Sequence, residues 1–213
     1  MPRSPLGFLA CCLLLLCACS DEVRSPGSGD GGDGGDGGAD GGSDGAGAAG
    51  GGGGGSPVGR CGDVAATAGS YFMALSLFLS PKTPIVFQQS VTADAAGLVM
   101  SLQPLAAADR KTPVGNAIVA AFPVEPDGAF DVEVPGASVP AEANPITNAA
   151  MVADLRFTGT ACPASFCGQV TGQISQPIDV NVTSSTFRAE RVMGTAYPEP
   201  PPIDCDGGLA DPL

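Results

Sequence analysis

Period-two alternation runs along the chain from Tyr71 to Ala189. Tyr71, Met73, Leu75, Leu77 and Leu79 share one parity, with Phe72, Ala74, Ser76, Phe78 and Ser80 on the other. Ile85, Phe87 and Val91 follow, with Gln89 interrupting an otherwise apolar face. Leu98, Met100 and Leu102 alternate with Val99, Ser101 and Gln103, and Ile118, Ala120, Phe122 and Val124 make a fourth set. Phe130, Val132 and Val134 oppose Asp131 and Glu133, and Met151, Ala153, Leu155 and Phe157 oppose Val152, Asp154 and Arg156. Val170 and Ile174, then Ile178, Val180 and Val182, then Phe187 and Ala189 complete the series. Successive side chains of a strand point to opposite faces, so each set predicts a short strand with one face turned to a core.

The breaks between the sets are as informative. Proline and glycine separate the runs, and Pro126-Asp127-Gly128 predicts a tight hairpin between two of them. Gly168 and Gly172 share the parity of Val170 and mark a bend or a close backbone approach. Residues 138–148 predict a longer surface loop, and 198–213 a Pro-rich irregular tail. No stretch carries a long, Pro-free helical period. The expectation is an all-β domain over 60–213: an antiparallel meander of about eight strands, closed as a barrel or folded as a two-sheet sandwich.

The N-terminal part obeys a different grammar. Arg3 is followed by an apolar run from Leu6 to Leu16, too short to span a bilayer as a helix. Leu16-Cys17-Ala18-Cys19 then resembles the lipobox of bacterial lipoprotein precursors. The resemblance covers about the first twenty residues. It implies a signal peptide over 1–18, a thioether-linked diacylglycerol on Cys19, and acylation of the new N-terminus by a chain such as palmitate. Two or more acyl chains suffice for stable membrane anchoring. Ser20, where an aspartate would signal retention in the inner membrane, implies the outer membrane of the cell envelope.

Residues 19–59 carry most of the glycine: the chain has 32 glycines, and the run DGGDGGDGGADGG stands at the centre of this segment. Collagen would need proline at its X and Y positions, a calcium β-roll an apolar residue per repeat, and an EF-hand a terminal glutamate. None is present. The segment therefore predicts a solvated, flexible acidic linker with a span of roughly 35 Å.

Charge and composition narrow the function classes. The net charge of −13 is spread over linker and domain, and no basic run could follow a phosphate backbone, so no nucleic-acid partner is expected. The chain has no histidine, which removes Ser-His-Asp and Cys-His catalysis and histidine-ligated zinc. Ser80-Pro81-Lys82 lacks the spacing of a serine–lysine nucleophile. Asp131 and Glu133 read as the wet face of a strand, and Asp204-Cys205-Asp206 as tail. No catalytic residue, metal or cofactor is expected, and the protein reads as a non-enzyme.

Of eight cysteines, Cys11, Cys12 and Cys17 belong to the signal and Cys19 to the anchor. Cys61, Cys162, Cys167 and Cys205 remain, an even number in an exported domain, which predicts two disulfides. Cys162 and Cys167 flank a short turn, so the expected pairs are Cys162–Cys167 and Cys61–Cys205. The functional expectation is a noncatalytic, β-rich, ligand-binding domain on a membrane tether, which would hold its ligand at a barrel mouth, a sandwich face or the loop ends, or in a cavity lined by apolar strand residues. The alternative is a structural or protein-interaction envelope lipoprotein without a small ligand, whose partner is another envelope protein.

Overall fold

The computed structural model describes residues 59–194 and 196–213. The expected signal peptide, the expected lipidation at Cys19 and the expected linker up to residue 58 lie outside the described residues. A four-residue helix, α1 (Val64–Thr67), precedes eight strands: β1 (Gly69–Ser76), β2 (Ile85–Asp94), β3 (Gly97–Pro104), β4 (Ile118–Phe122), β5 (Ala129–Val139), β6 (Met151–Ala161), β7 (Ser165–Gln176) and β8 (Val180–Arg191). A 3-10 turn at Ala141–Ala143 opens the β5–β6 connection. The sheet order is β4-β3-β2-β1-β8-β7-β6-β5, with every neighbouring pair antiparallel. The chain is therefore an up-and-down meander, closed where its first strand pairs with its last. Among the described residues the one gap is between β4 and β5, which approach without a hydrogen-bonded ladder. The all-β expectation holds, and the structure selects a nearly closed barrel over a sandwich.

Each alternating set sends one parity inward. Tyr71, Met73, Leu75, Phe87, Leu98, Met100, Leu102, Val132, Leu155, Phe157, Phe166 and Phe187 are all buried in one cluster. An aromatic chain runs through it, with Phe130 within 5.0 Å of Phe122 and 6.1 Å of Phe166 and Phe187. Such rings bury large areas and pack edge to face.

Two strands change parity midway, which a strict alternation cannot show. In β5 the buried positions pass from Phe130, Val132 and Val134 to Ala137 and Val139, across an irregularity at Pro135-Gly136. In β8 they pass from Val182 to Ser185, Phe187 and Ala189, across Ser184, whose φ is 54°. Each is a bulge: one added residue moves the following side chains to the opposite face. For this reason the stretch from Val180 to Ala189, which reads as two short strands, is one. Ile178 lies before that strand and is exposed.

The outer face of β1 is also dry. Phe72, Ala74, Val86 and Leu105 form a second cluster with Ile203 and Ala210, and Tyr197 stacks on Phe72 at 4.8 Å. The tail that reads as irregular crosses the outside of the barrel here. Arg110 donates to Glu199 Oε1 and the Asp211 carbonyl, Lys82 to the Leu209 carbonyl, and Thr186 to the Ile203 carbonyl. A strand covered on both sides is expected to be apolar on both sides, and β1 (GSYFMALS) is.

Gln89 is the exception on the inner face. It is buried, between Tyr71 and Leu102 in the register, and its Oε1 has no partner among the described residues. Leaving a buried polar atom unpaired costs about 1–3 kcal/mol. Gln89→Leu is therefore expected to stabilise the domain by about 1–2 kcal/mol. The urea midpoint reads this, and a lower midpoint would mean that the amide has a partner.

Candidate functional site

The two ends of the barrel differ. One end carries α1 and the short β6–β7 hairpin. Asp63 caps α1 by accepting from the Ala66 amide at 3.0 Å. Arg191, at the last position of β8, reaches across this end and donates to the carbonyls of Pro163, Ala66 and Ala68 and to the Tyr71 hydroxyl. Its guanidinium stands 5.0 Å from the Tyr71 ring centroid. The Tyr71 hydroxyl lies 2.6 Å from the Thr67 carbonyl and 3.1 Å from that of Pro163. Burial pushes the Tyr71 phenol up from its ordinary value, and the positive charge of Arg191 pulls the other way. This end is sealed.

The opposite end collects the long connections: 77–84, 105–117, 140–150 and 177–179. The 140–150 segment is held by Asn144, which donates to Thr147 Oγ1 and the Ala149 carbonyl and accepts from the Ile146 amide. Leu79 and Ile178 are exposed at its margin, around a cavity of about 10 Å³ that Ile146, Met151 and Ile174 also line. Between the ends, the barrel interior holds a second cavity of about 10 Å³, lined by apolar side chains including Leu75, Phe87, Leu102, Val134 and Phe157. Roughly 10–15 Å³ is what one water needs, and drug-sized ligands occupy roughly 300–1,000 Å³. Among the described residues, the space inside the barrel is filled by its own side chains.

The larger hollows are on the outside. An open groove of about 380 Å³ is lined by Glu133, Pro135, Asp154, Leu155, Arg156 and Gly172. Beside it, sharing Pro135, a groove of about 280 Å³ follows the gap between β4 and β5, along Asn116–Val119 and Val134–Ser138. The strands stay together near the hairpin, where the Glu125 amide donates to the Ala129 carbonyl at 2.9 Å and Gly128 has a φ of 92°. They part further along. Pro135 has no N–H to offer, and the Gly136 amide is turned away to Asp154 Oδ1 at 2.7 Å.

The residues singled out from the sequence are dispersed. Asp131 is bound by Arg156, whose guanidinium holds its carboxyl below the usual range and is itself raised by the pairing. Glu133, directly opposite Arg156 in the register, is exposed and accepts no hydrogen bond among the described residues. Ser80 contacts the Thr83 hydroxyl, and Lys82 is committed to the tail. Asp204 Oδ1 accepts from the Gly208 amide at 2.7 Å, closing a turn. Gly168 and Gly172 do mark close approaches, since a Cβ at either would run into the carbonyl of Thr158 or Asp154.

The cysteine pairing is a correction. The bonds are Cys61–Cys162 and Cys167–Cys205, with Cα atoms 4.0 and 5.3 Å apart, not Cys162–Cys167 and Cys61–Cys205. The hairpin register explains why. Cys162 exchanges backbone hydrogen bonds with Ser165, whereas Cys167 is opposite Thr160. The two cysteines are therefore in different rows of the ladder. Cys167 has the parity opposite to the buried Phe166, so its side chain faces the tail outside the barrel. Cys162 meets Cys61 where the Gly62 amide donates to the Ala161 carbonyl at 3.1 Å.

No family model, curated protein or solved structure matches the chain, so the arrangement of its own side chains carries the functional argument.

Proposed function

We propose that the protein is a noncatalytic, lipid-anchored lipoprotein of the cell envelope, at the outer membrane. Its barrel would present an outer surface to another protein, held off the membrane by the Gly/Asp-rich linker. The observation that carries this reading is the filled barrel. A small-ligand carrier needs a chamber, and the interior offers cavities of about 10 Å³. The hollows of useful size lie on the outer surface, where they face a macromolecular partner. Two disulfides support an oxidising compartment outside the cytoplasm.

The reading is tested by purifying the lipidated chain from membranes under native conditions and analysing by mass what remains bound. A protein partner is expected. A stoichiometric small molecule would return the function to ligand carriage. In the same cells Cys19→Ser is expected to abolish acyl labelling and to move the chain from the membrane to the soluble fraction. Persistent labelling would remove the anchor from the reading.

A further inference from the structure

We propose that the Cys167–Cys205 disulfide is a redox latch, whose reduction by a dithiol releases the C-terminal tail from the outer face of β1. This goes beyond the interaction reading above and stands without it. The sheet is complete at Arg191, where β8 ends, so the tail adds no strand to it. The tail is instead tied at two points. The chain leaves β8 with the Val192 amide donating to the Ser70 carbonyl, and Cys205 is bonded to Cys167 on β7. Held in this way, it closes over Phe72, Ala74, Val86 and Leu105 with Tyr197, Ile203 and Ala210.

The two disulfides differ in access. Cys205 is exposed, in a turn that the Asp204 carboxylate closes, whereas Cys61, Cys162 and Cys167 are half-buried. Exchange begins when a thiolate reaches one sulfur of the pair, so access selects the bond that opens. A thiolate of the dithiol attacks Cys205 Sγ, forming a mixed disulfide and expelling the Cys167 thiolate. The second thiol of the reagent then displaces Cys205. Two electrons pass to the cystine, the reagent is left as a disulfide, and its two protons end on Cys167 and Cys205. The barrel keeps its ladders and its Cys61–Cys162 bond. The tail changes from a closed loop to a free end, which gains more chain entropy on detaching. Met193, 84% exposed, and Gly194, with a φ of 73° and open space around it, stand where the strap would pivot.

The test titrates the full, oxidised chain with dithiothreitol, locates the freed thiols by alkylation and mass, and follows amide exchange on the same samples. Of the four domain cysteines, Cys167 and Cys205 are expected to be alkylated together while Cys61 and Cys162 remain bonded. In that state the Ile203, Ala210 and Asp211 amides, which donate to the carbonyls of Gly208, Pro201 and Lys82, are expected to exchange at least tenfold faster, with β6 and β7 unchanged. Reoxidation should restore their protection. Cys205→Ser is expected to show the same fast tail without reductant, which separates release of the latch from any other action of the reagent. Opening of Cys61–Cys162 first, or of both bonds together, would overturn the proposal. So would tail amides that stay as protected in the reduced chain, or in Cys205→Ser, as in the oxidised one. The interaction reading fails on a different result: a native preparation that carries no protein partner.

Discussion

Replacing Cys61 and Cys162 together by serine is expected to cost the domain several kilocalories per mole. The bond closes a loop of 101 residues, and in the loop-entropy model such a link is worth about 4–5 kcal/mol. At about 2–4 °C per kcal/mol for a domain of this size, the thermal midpoint should fall by on the order of 10 °C. The Cys167–Cys205 link spans 38 residues and should cost somewhat less, about 4 kcal/mol. The two losses differ in kind. Without Cys61–Cys162, the α1 end loses its covalent tie to the β6–β7 hairpin. Without Cys167–Cys205, the tail is still held over β1 by Arg110, Lys82, Thr186 and Arg188, by the Asp211 amide donating to the Lys82 carbonyl, and by the second apolar cluster. Proteolysis between Cys162 and Cys167 under non-reducing conditions checks the connectivity. A peptide holding only Cys162 and Cys167 as its bonded pair would contradict it.

The second large effect is expected at Arg191. Its guanidinium satisfies three carbonyls and one hydroxyl from the segments that seal the barrel end. Arg191→Ala takes the arginine donor from the Ala66 and Ala68 carbonyls, leaves the Pro163 carbonyl only the Tyr71 hydroxyl, and removes the cation from the Tyr71 ring. Each partly buried acceptor left unpaired costs on the order of 1 kcal/mol or more, so the loss should be about 3–5 kcal/mol. Arg191→Lys is the informative control. An ammonium keeps the charge but cannot reproduce a planar fork that reaches Pro163, Ala66 and Ala68 together. Lysine is therefore expected to recover less than half of the loss in a urea titration. Full recovery would mean that charge alone, not the fork, holds this end together.

The strands were legible because one parity of each faces a single dry interior. The Pro126-Asp127-Gly128 turn was legible because its glycine must take a positive φ. The rest needed three dimensions. The bulges at Pro135-Gly136 and Ser184 reverse the alternation within β5 and β8, so a parity count ends a strand where the backbone continues. The order of the sheet depends on β1 meeting β8, more than a hundred residues away in the chain, which no local pattern encodes. The disulfide pairing turned on ladder rows: proximity in sequence placed Cys162 with Cys167, while register separates them. The candidate surface was least legible of all. Val119 reads as one more apolar strand residue, and only the missing ladder beside β4 distinguishes it. In β1, apolar residues at both parities did carry a signal, since they anticipate a cover on each face.

That doubly covered strand also bears on how the chain is made. β1 is synthesised first among the strands, yet its β8 neighbour and its outer cover come from the last part of the chain. While β2, β3 and β4 emerge, β1 has one bare edge and one bare apolar face, and the barrel has no means of closing. Long-range pairing of this kind is slow to form. The domain should therefore leave the ribosome as an open chain and acquire its fold only after synthesis ends. An unfolded polypeptide is the form that can be threaded through a narrow channel, so the late arrival of β8 would keep the chain fit for the export that the proposed location requires.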